Sequence, residues 1–351
     1  MIRYTLHKIS YGFAVMTGVV IIVFILFNIL PGDPARMTMG QRADVQSLEA
    51  VRKEFGLDQS RGTQFLLYIN DLSPVSVHDN SHADIQKYTL LASVEVGRKV
   101  LVIKVPYLRR SYQTKREVTT ILAETVPNTI VLASAAMLLA TVTGVFLGVL
   151  SAVNRDTWID RSANGFAIIG ISSPSFFAGI IIAWLFGFVL REYTGLSMSG
   201  SLYSYDPFQG EIMTLHNLWL PMITLALRPL AVIVQLTRST MLDVLSQDYI
   251  RTAKAKGLGR LTIILKHALR NAINPVITAI SGWFASLLAG SFFVEYIFGY
   301  NGLGRATVTA LEMSDFPVVM GSILFISLVF IVINILSDIL YAFADPRVKL
   351  V

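Results

Sequence analysis

The sequence predicts an all-α polytopic membrane protein with six transmembrane helices and a short β-hairpin in an extracytoplasmic region between the first two. Three observations carry that reading. Of 351 residues, 54% are hydrophobic and only 15% charged, with a mean hydropathy of +0.60, far from the balance of a soluble domain. Six long runs are almost free of charge. The basic excess gathers in one segment between two of those runs, Ser246 to Arg270, where Arg251, Lys254, Lys256, Arg260, Lys266 and Arg270 face Asp248 alone in a chain of net charge +6. Short basic loops stay on the cytosolic side, so topology accounts for the high pI and nucleic acid is not needed. There is no cysteine, which excludes disulfides, cysteine-ligated zinc and thiol catalysis.

Ile9 to Leu30 carries no charge and follows Arg3, His7 and Lys8, as a spanning helix with a cytosolic N-terminus does. A cleaved signal peptide would have a shorter apolar core and a small-residue cleavage site, whereas this run exits through Leu30-Pro31-Gly32-Asp33-Pro34. Residues 1–30 are therefore read as an anchor, 31–117 as extracytoplasmic, and 118–351 as the core with a cytosolic loop at 239–271. In the external region Val45, Leu48, Val51 and Phe55 recur at helical spacing before Gly56, predicting a helix over 44–55, and a weaker one covers 63–71. Ser93 to Val105 alternates valine with polar residues around Gly97-Arg98, a β-hairpin pattern.

The second run, Val126 to Val153, holds Gly144 and Gly148 at a small-xxx-small spacing that lets helices approach closely. The third, Ser162 to Leu190, is interrupted by Ser172-Ser173-Pro174. A plain proline kink and a place on a translocation path both remain open for Ser173 and Pro174. The fourth, Leu218 to Thr237, contains Arg228-Pro229; the fifth is Asn271 to Val294; the sixth, Phe316 to Ser337, continues past Asp338 to Ala344. Six spans place both termini in the cytosol.

Within the basic segment, Ser246 stands at an N-cap position, Asp248 in the first turn, Lys254 and Lys256 in the last, and Gly257 at the stop. Each complements the helix dipole or its unpaired backbone groups, predicting a helix over 247–256 that projects toward the cytosol, with Ala253 and Ala255 offering close approach to another protein. Beyond the turn at Gly257 to Gly259, Leu261, Ile264, Leu265, Ala268 and Leu269 share one face of an ideal helix, which predicts an apolar stripe bedded on the bundle.

The order alanine, three residues, glycine, and then an apolar-basic helix resembles the EAA loop of permease subunits of bacterial ABC importers. Asp248-Tyr249-Ile250-Arg251-Thr252-Ala253-Lys254-Ala255-Lys256-Gly257 and His267-Ala268-Leu269-Arg270-Asn271-Ala272 are similar to the dipeptide/oligopeptide branch, B-type subunit. So are Gly56-Leu57-Asp58, Leu236-Thr237-Arg238, Gly302-Leu303-Gly304 and Ala344-Asp345-Pro346-Arg347-Val348, which extends the resemblance over nearly the whole chain. Arg251 and Thr252 stand where the broad importer signature has Glu-Ala, and His267 and Arg270 replace its Ile and Pro.

The resemblance implies a type I ABC importer permease fold and a half-channel paired with a homologous C-type permease. It further implies two cytosolic ATPases carrying ATP and Mg, an extracytoplasmic binding protein, and a place in the bacterial inner membrane. Asp248 to Leu258, with Tyr249, Arg251, Thr252, Ala253, Lys254, Ala255, Lys256 and Gly257, would meet an ATPase, and the cargo would be di- or oligopeptides. Nickel chelates, glutathione and other small solutes remain open. Independently of the resemblance, no G-x-x-x-x-G-K-[ST] phosphate loop occurs, so this chain is expected to bind no cofactor and catalyse nothing itself. No metal or catalytic motif appears.

A gradient-driven secondary transporter is the rival, but such proteins carry intramembrane acid or histidine relays, and the spans here offer only Arg228 and Asp338. Arg228 falls roughly 15 Å into its helix. It is expected to face the translocation path, either meeting a peptide carboxylate or pairing with Asp338 in one conformation, or else to be held structurally by a permanent ion pair or by snorkelling at the Pro229 kink.

Overall fold

The computed structural model describes residues 2–28, 49, 52, 58–79, 87–96, 99–206, 208 and 210–344. Five helical segments among them are long and apolar enough to cross a membrane: His7–Phe27, Val118–Val153, Leu215–Leu245, Arg260–Ala289 and Phe316–Ser337. A sixth arises if Trp158–Ser172 and Ser175–Val189, bent by 111° at their junction, form one broken span. The expected helix over 44–55 lies outside the described residues.

The chain divides into two compact units, one of Met1–Ala14, Thr125–Arg305 and Ile326–Val351, the other of Val15–Glu124 and Ala306–Phe325. In the second, a helix α2 (Arg61–Leu72) starts at Ser60, whose hydroxyl accepts the Thr63 N–H; α1 denotes Ile2–Asn28. Three antiparallel strands follow in spatial order β1-β3-β2: Val75–Asp79, Leu90–Val96 and Lys99–Lys104. Val96 pairs with Lys99, so β2 and β3 make the hairpin expected from the valine alternation, its two turn residues lying outside the described ones. Strand β1 had no comparable signal. Buried Val23, Phe24, Tyr68, Tyr112, Phe316, Met320 and Leu324 form the core of this unit.

Asp71, buried in the last turn of α2, accepts the Tyr88 hydroxyl at 2.8 Å and Arg109 Nε at 3.0 Å. Lys104 is also buried, with Nζ 3.3 Å from the centre of the Tyr88 ring. Burial lowers its pKa to about 8, although Asp71 pulls the other way.

The first unit is built on α6 (Trp219–Leu245), which buries residues from Leu220 to Met241 on most of its circumference. Labels α3, α4 and α5 denote Val118–Val153, Trp158–Ser172 and Ser175–Trp184. Glycines let the neighbours of α6 come close: a Cβ at Gly148 on α3 would sit 2.6 Å from Thr237 Cβ, one at Gly144 2.8 Å from Ile233 Cγ2, and one at Gly170 on α4 3.2 Å from the Leu227 carbonyl oxygen. The small-residue spacing on the second span is thus a packing device.

Among the other helices, α7 denotes Asp248–Ala255, α8 Arg270–Gly290, α9 Phe292–Ile297, α10 Leu303–Glu312 and α11 Phe316–Ala344. Proline 174 does not kink a continuous helix. It caps α5 in extended backbone after α4 has ended at Ser172, because neither it nor the residue before it can continue the helical ladder without strain.

Candidate functional site

The short helix α7 is held by two side chains. Ile250 is fully buried and Ala253 nearly so, packed among Ala152, Met241, Ile263, Ile264, Ala268 and Ala272. Asp248, Tyr249, Arg251, Thr252, Lys254, Ala255, Lys256 and Leu258 stay exposed. The expectation that Ala253 faces outward is corrected: its small side chain admits the helix to its own bundle, and Ala255 alone of the pair is exposed. Asp248 and Arg251 pair at 3.3 Å on the surface, an interaction worth little in water.

The start of α7 also differs from expectation. Ser246 closes α6 and donates its hydroxyl to the Asp243 carbonyl at 2.7 Å, while Gln247 in extended backbone opens α7 without a side-chain cap. Its end is as expected. Gly257 has φ +75°, its N–H donates to the Lys254 carbonyl at 3.0 Å, and the Leu258 N–H donates to the Ala253 carbonyl at 3.3 Å. This pair of bonds is a Schellman motif, and the left-handed residue between them favours glycine.

Beyond the turn, the apolar stripe is set differently from an ideal α-helix. Residues Ile263–Leu269 are π-helical, so side chains recur at a longer period. Ile263, Ile264 and Ala268 are buried, whereas Leu261 is 73% and Leu265 57% exposed. The surface beside α7 therefore presents Leu258, Leu261 and Leu265 among cations. Tyr249 fixes this arrangement, its hydroxyl accepting Asn271 Nδ2 at 2.8 Å.

At membrane depth, Arg228 is exposed between buried Ala226 and Pro229 of α6, with its guanidinium 5.8 Å from the Trp283 ring of α8. Among the described residues no carboxylate pairs with it. Ser173 is half-buried and Pro174 exposed at the α4–α5 break, and no hydrogen bond joins either to Arg228. Asp338 lies in α11, but its side chain is outside the described residues, and so is any pairing with Arg228.

Two polar networks had no local signature. Asp160, at the start of α4, takes both arms of Arg238, Nε to Oδ1 at 2.6 Å and Nη2 to Oδ2 at 2.7 Å, and also accepts the Ser151 hydroxyl, the Asp156 N–H and Asn164 Nδ2. Glu295 on α9 is fully buried and accepts from Ser291 Oγ at 2.7 Å, Thr129 Oγ1 at 2.8 Å and the Gly304 N–H at 2.7 Å. Thr129 Oγ1 in turn accepts the Leu303 N–H at 2.8 Å. The Arg238 of Leu236-Thr237-Arg238 and the glycines of Gly302-Leu303-Gly304 thus serve these two carboxylates.

Residues 144–350 match the family described as binding-protein-dependent transport system inner membrane component, and residues 1–133 match its N-terminal companion. The chain belongs to this family. It is 31% identical over 364 residues to the dipeptide transport system permease protein DppB of Alkalihalophilus pseudofirmus, covering 99% of this chain and 100% of that protein. It is 36% identical over 352 residues to the "Probable D,D-dipeptide transport system permease protein DdpB" of Escherichia coli K12, covering 95% and 94%. Among solved structures, the inward-facing MetNI methionine ABC transporter aligns with a TM-score of 0.53 at 17% identity, over 65% of this chain and 97% of that one, a likeness of fold. This binding-protein-dependent component is a polytopic permease subunit with the type I ABC importer fold.

Proposed function

We propose that this permease moves di- or oligopeptides across the bacterial inner membrane as one half of a heterodimer with a C-type permease, both termini in the cytosol. Two ATPase subunits hold ATP and Mg, and an extracytoplasmic binding protein delivers the cargo; this chain hydrolyses nothing itself. The observation that carries the reading is α7. It is a helix gripped by Ile250 and Ala253, closed by a left-handed glycine, and flanked by exposed Leu258, Leu261 and Leu265. Exposed leucines grouped this way mark a protein contact. Asp248 to Leu258 is read as the element an ATPase moves, the leucines as the apolar part of that contact, and the bedded face as the lever that passes motion to the spans. Peptide cargo is supported by the relatives named above.

Arg228 is read as lining the translocation path, together with Ser173 and Pro174 at the α4–α5 break and Asp338. The supporting observation is its exposure on a spanning helix, where a charge facing hydrocarbon is costly.

The test is purification of the assembled complex and uptake into proteoliposomes with its binding protein, offered dipeptides, oligopeptides, glutathione and nickel chelates. Peptide uptake that requires ATP is expected. A complex without ATPase subunits, or one taking up only a non-peptide solute, refutes the corresponding part.

A further inference from the structure

Arg228 does not stand alone on its side of α6. Gln235 and Ser239 follow at helical spacing and are likewise not buried, and they continue its stripe toward the coupling end. On α8, packed against α6, exposed Ser286 lies less than one turn from Trp283, whereas Asn274 and Thr278, also unburied, fall on the opposite side of the helix from that ring. The Thr278 hydroxyl donates back to the Asn274 carbonyl, so it needs no outside partner. The stripe on α6 is thus left uncovered by this chain's described residues, and lipid is a poor solvent for it. Arg228 is the charged point of that surface, and the Trp283 ring lies beneath its guanidinium.

Resting on the reading of this surface as the translocation path, we propose that Arg228 and Trp283 form a transit site for the free C-terminal carboxylate of the substrate. The guanidinium has five donors in a fork that matches a carboxylate, and no carboxylate of the described residues occupies it. The indole face holds the cation by its ring quadrupole and leaves apolar surface beside the charge for a peptide side chain. A passing anion would be held by one ion pair open to water, strong enough to orient it and weak enough to release it.

The experiment compares uptake of one dipeptide with that of its C-terminal amide, using the assembled complex and its binding protein in proteoliposomes. The binding protein's own preference is common to all variants, so the acid-to-amide uptake ratio, variant against wild type, isolates the permease. Arg228→Met is expected to lower that ratio about tenfold, Arg228→Lys to restore most of it, and Trp283→Leu to lower it less. An unchanged ratio overturns the proposal, whether uptake of both peptides falls together or neither falls. Loss of subunit assembly in Arg228→Met but not in Arg228→Lys also overturns it, by pointing to a carboxylate of a partner subunit.

A second readout separates this failure from failure of the path itself. This chain has no cysteine, so Gln235→Cys and Ser239→Cys, on the Arg228 stripe, each give it one labelling site for a water-soluble maleimide. Labelling blocked by saturating peptide supports the path. Labelling with an unchanged acid-to-amide ratio leaves the path standing and removes the carboxylate site. Absence of labelling in a transport-competent variant removes both.

Discussion

The backbone N–H of Gly304 donates to Glu295 Oε2 at 2.7 Å, and this one approach accounts for two glycines. A Cβ at Gly302 would lie 2.3 Å from Glu295 Oε2, and one at Gly304 would lie 2.6 Å from Phe292 Cα and 2.9 Å from the same carboxylate oxygen. Oε2 accepts the Gly304 and Arg305 N–H groups and Oε1 the Thr129 and Ser291 hydroxyls, so both oxygens are hydrogen-bonded although burial raises the pKa of the group. Glu295 thereby joins α3, α9 and the first turn of α10, where an anion also meets the helix dipole.

In Glu295→Gln the amide oxygen must keep the two backbone N–H groups, so the NH2 replaces Oε1 and the Thr129 and Ser291 hydroxyls must turn from donors to acceptors, with loss of the charge-assisted bonds. The change is expected to destabilise the protein by about 2 kcal/mol, and Gly304→Ala by a similar amount through overpacking against backbone. Thermal unfolding in detergent is the check. Wild-type melting of both variants would show that the cluster is not under constraint.

Asp160 is 4% exposed and Arg238 24%, so removing one partner strands a charge with little access to water. Asp160→Asn should cost about 3 kcal/mol. Pairing it with Arg238→Gln should cost less than the two single changes added together. A double-variant cycle on the purified complex measures the coupling, and strict additivity would contradict the ion pair as a unit.

Gly257 has open space around its missing Cβ, so its φ of +75° alone explains the glycine. A β-branched residue there carries about 1–3 kcal/mol of backbone strain. Gly257→Val should leave the complex assembled while raising the ATP hydrolysed per peptide transported, and Gly257→Asn, which tolerates left-handed backbone, should lie nearer wild type. ATPase activity and uptake measured on the same proteoliposomes decide it; unchanged stoichiometry in Gly257→Val would count against α7 as the moving element.

Lys104 has its pKa lowered to about 8, chiefly by burial. Between there and the usual lysine value the unfolded chain binds more protons than the folded one, so stability rises with pH over that window, and the cost is fully present below pH 8. That cost is about 3 kcal/mol, partly offset by the contact with Tyr88. Lys104→Met should therefore be more stable than wild type at pH 7, and the difference should shrink as pH climbs from 8 to 10. A difference that does not change with pH would place the charge in a solvated site.

Much of this protein was legible because its signals are local. Hydropathy marked the long helices, valine alternation marked the β2–β3 hairpin, and Gly257 marked the end of α7. The misread positions share a different property. Ser246 looked like a cap for α7 because composition does not say to which of two adjoining helices a residue belongs. A period of 3.6 puts Leu261 and Leu265 on the buried face, and the π-helical turn at Ile263–Leu269 does not keep that period. Ala253 is ambiguous in sequence because a small side chain suits either side of an interface, and its burial is set by the bundle it packs on.

By itself the sequence determined the class, the approximate places of the spans and the helix-turn-helix of the cytosolic loop, since each follows from residues close together in the chain. Only the tertiary structure decided which face of that loop is buried, that Ser173 and Pro174 sit at a 111° break, and what Arg238, Gly302 and Gly304 are for. Arg238 meets Asp160 across 78 residues and Thr129 meets Glu295 across 166. A charge pair or a glycine cradle formed at such separations has no periodicity to reveal it, because its partners become neighbours only when the helices pack.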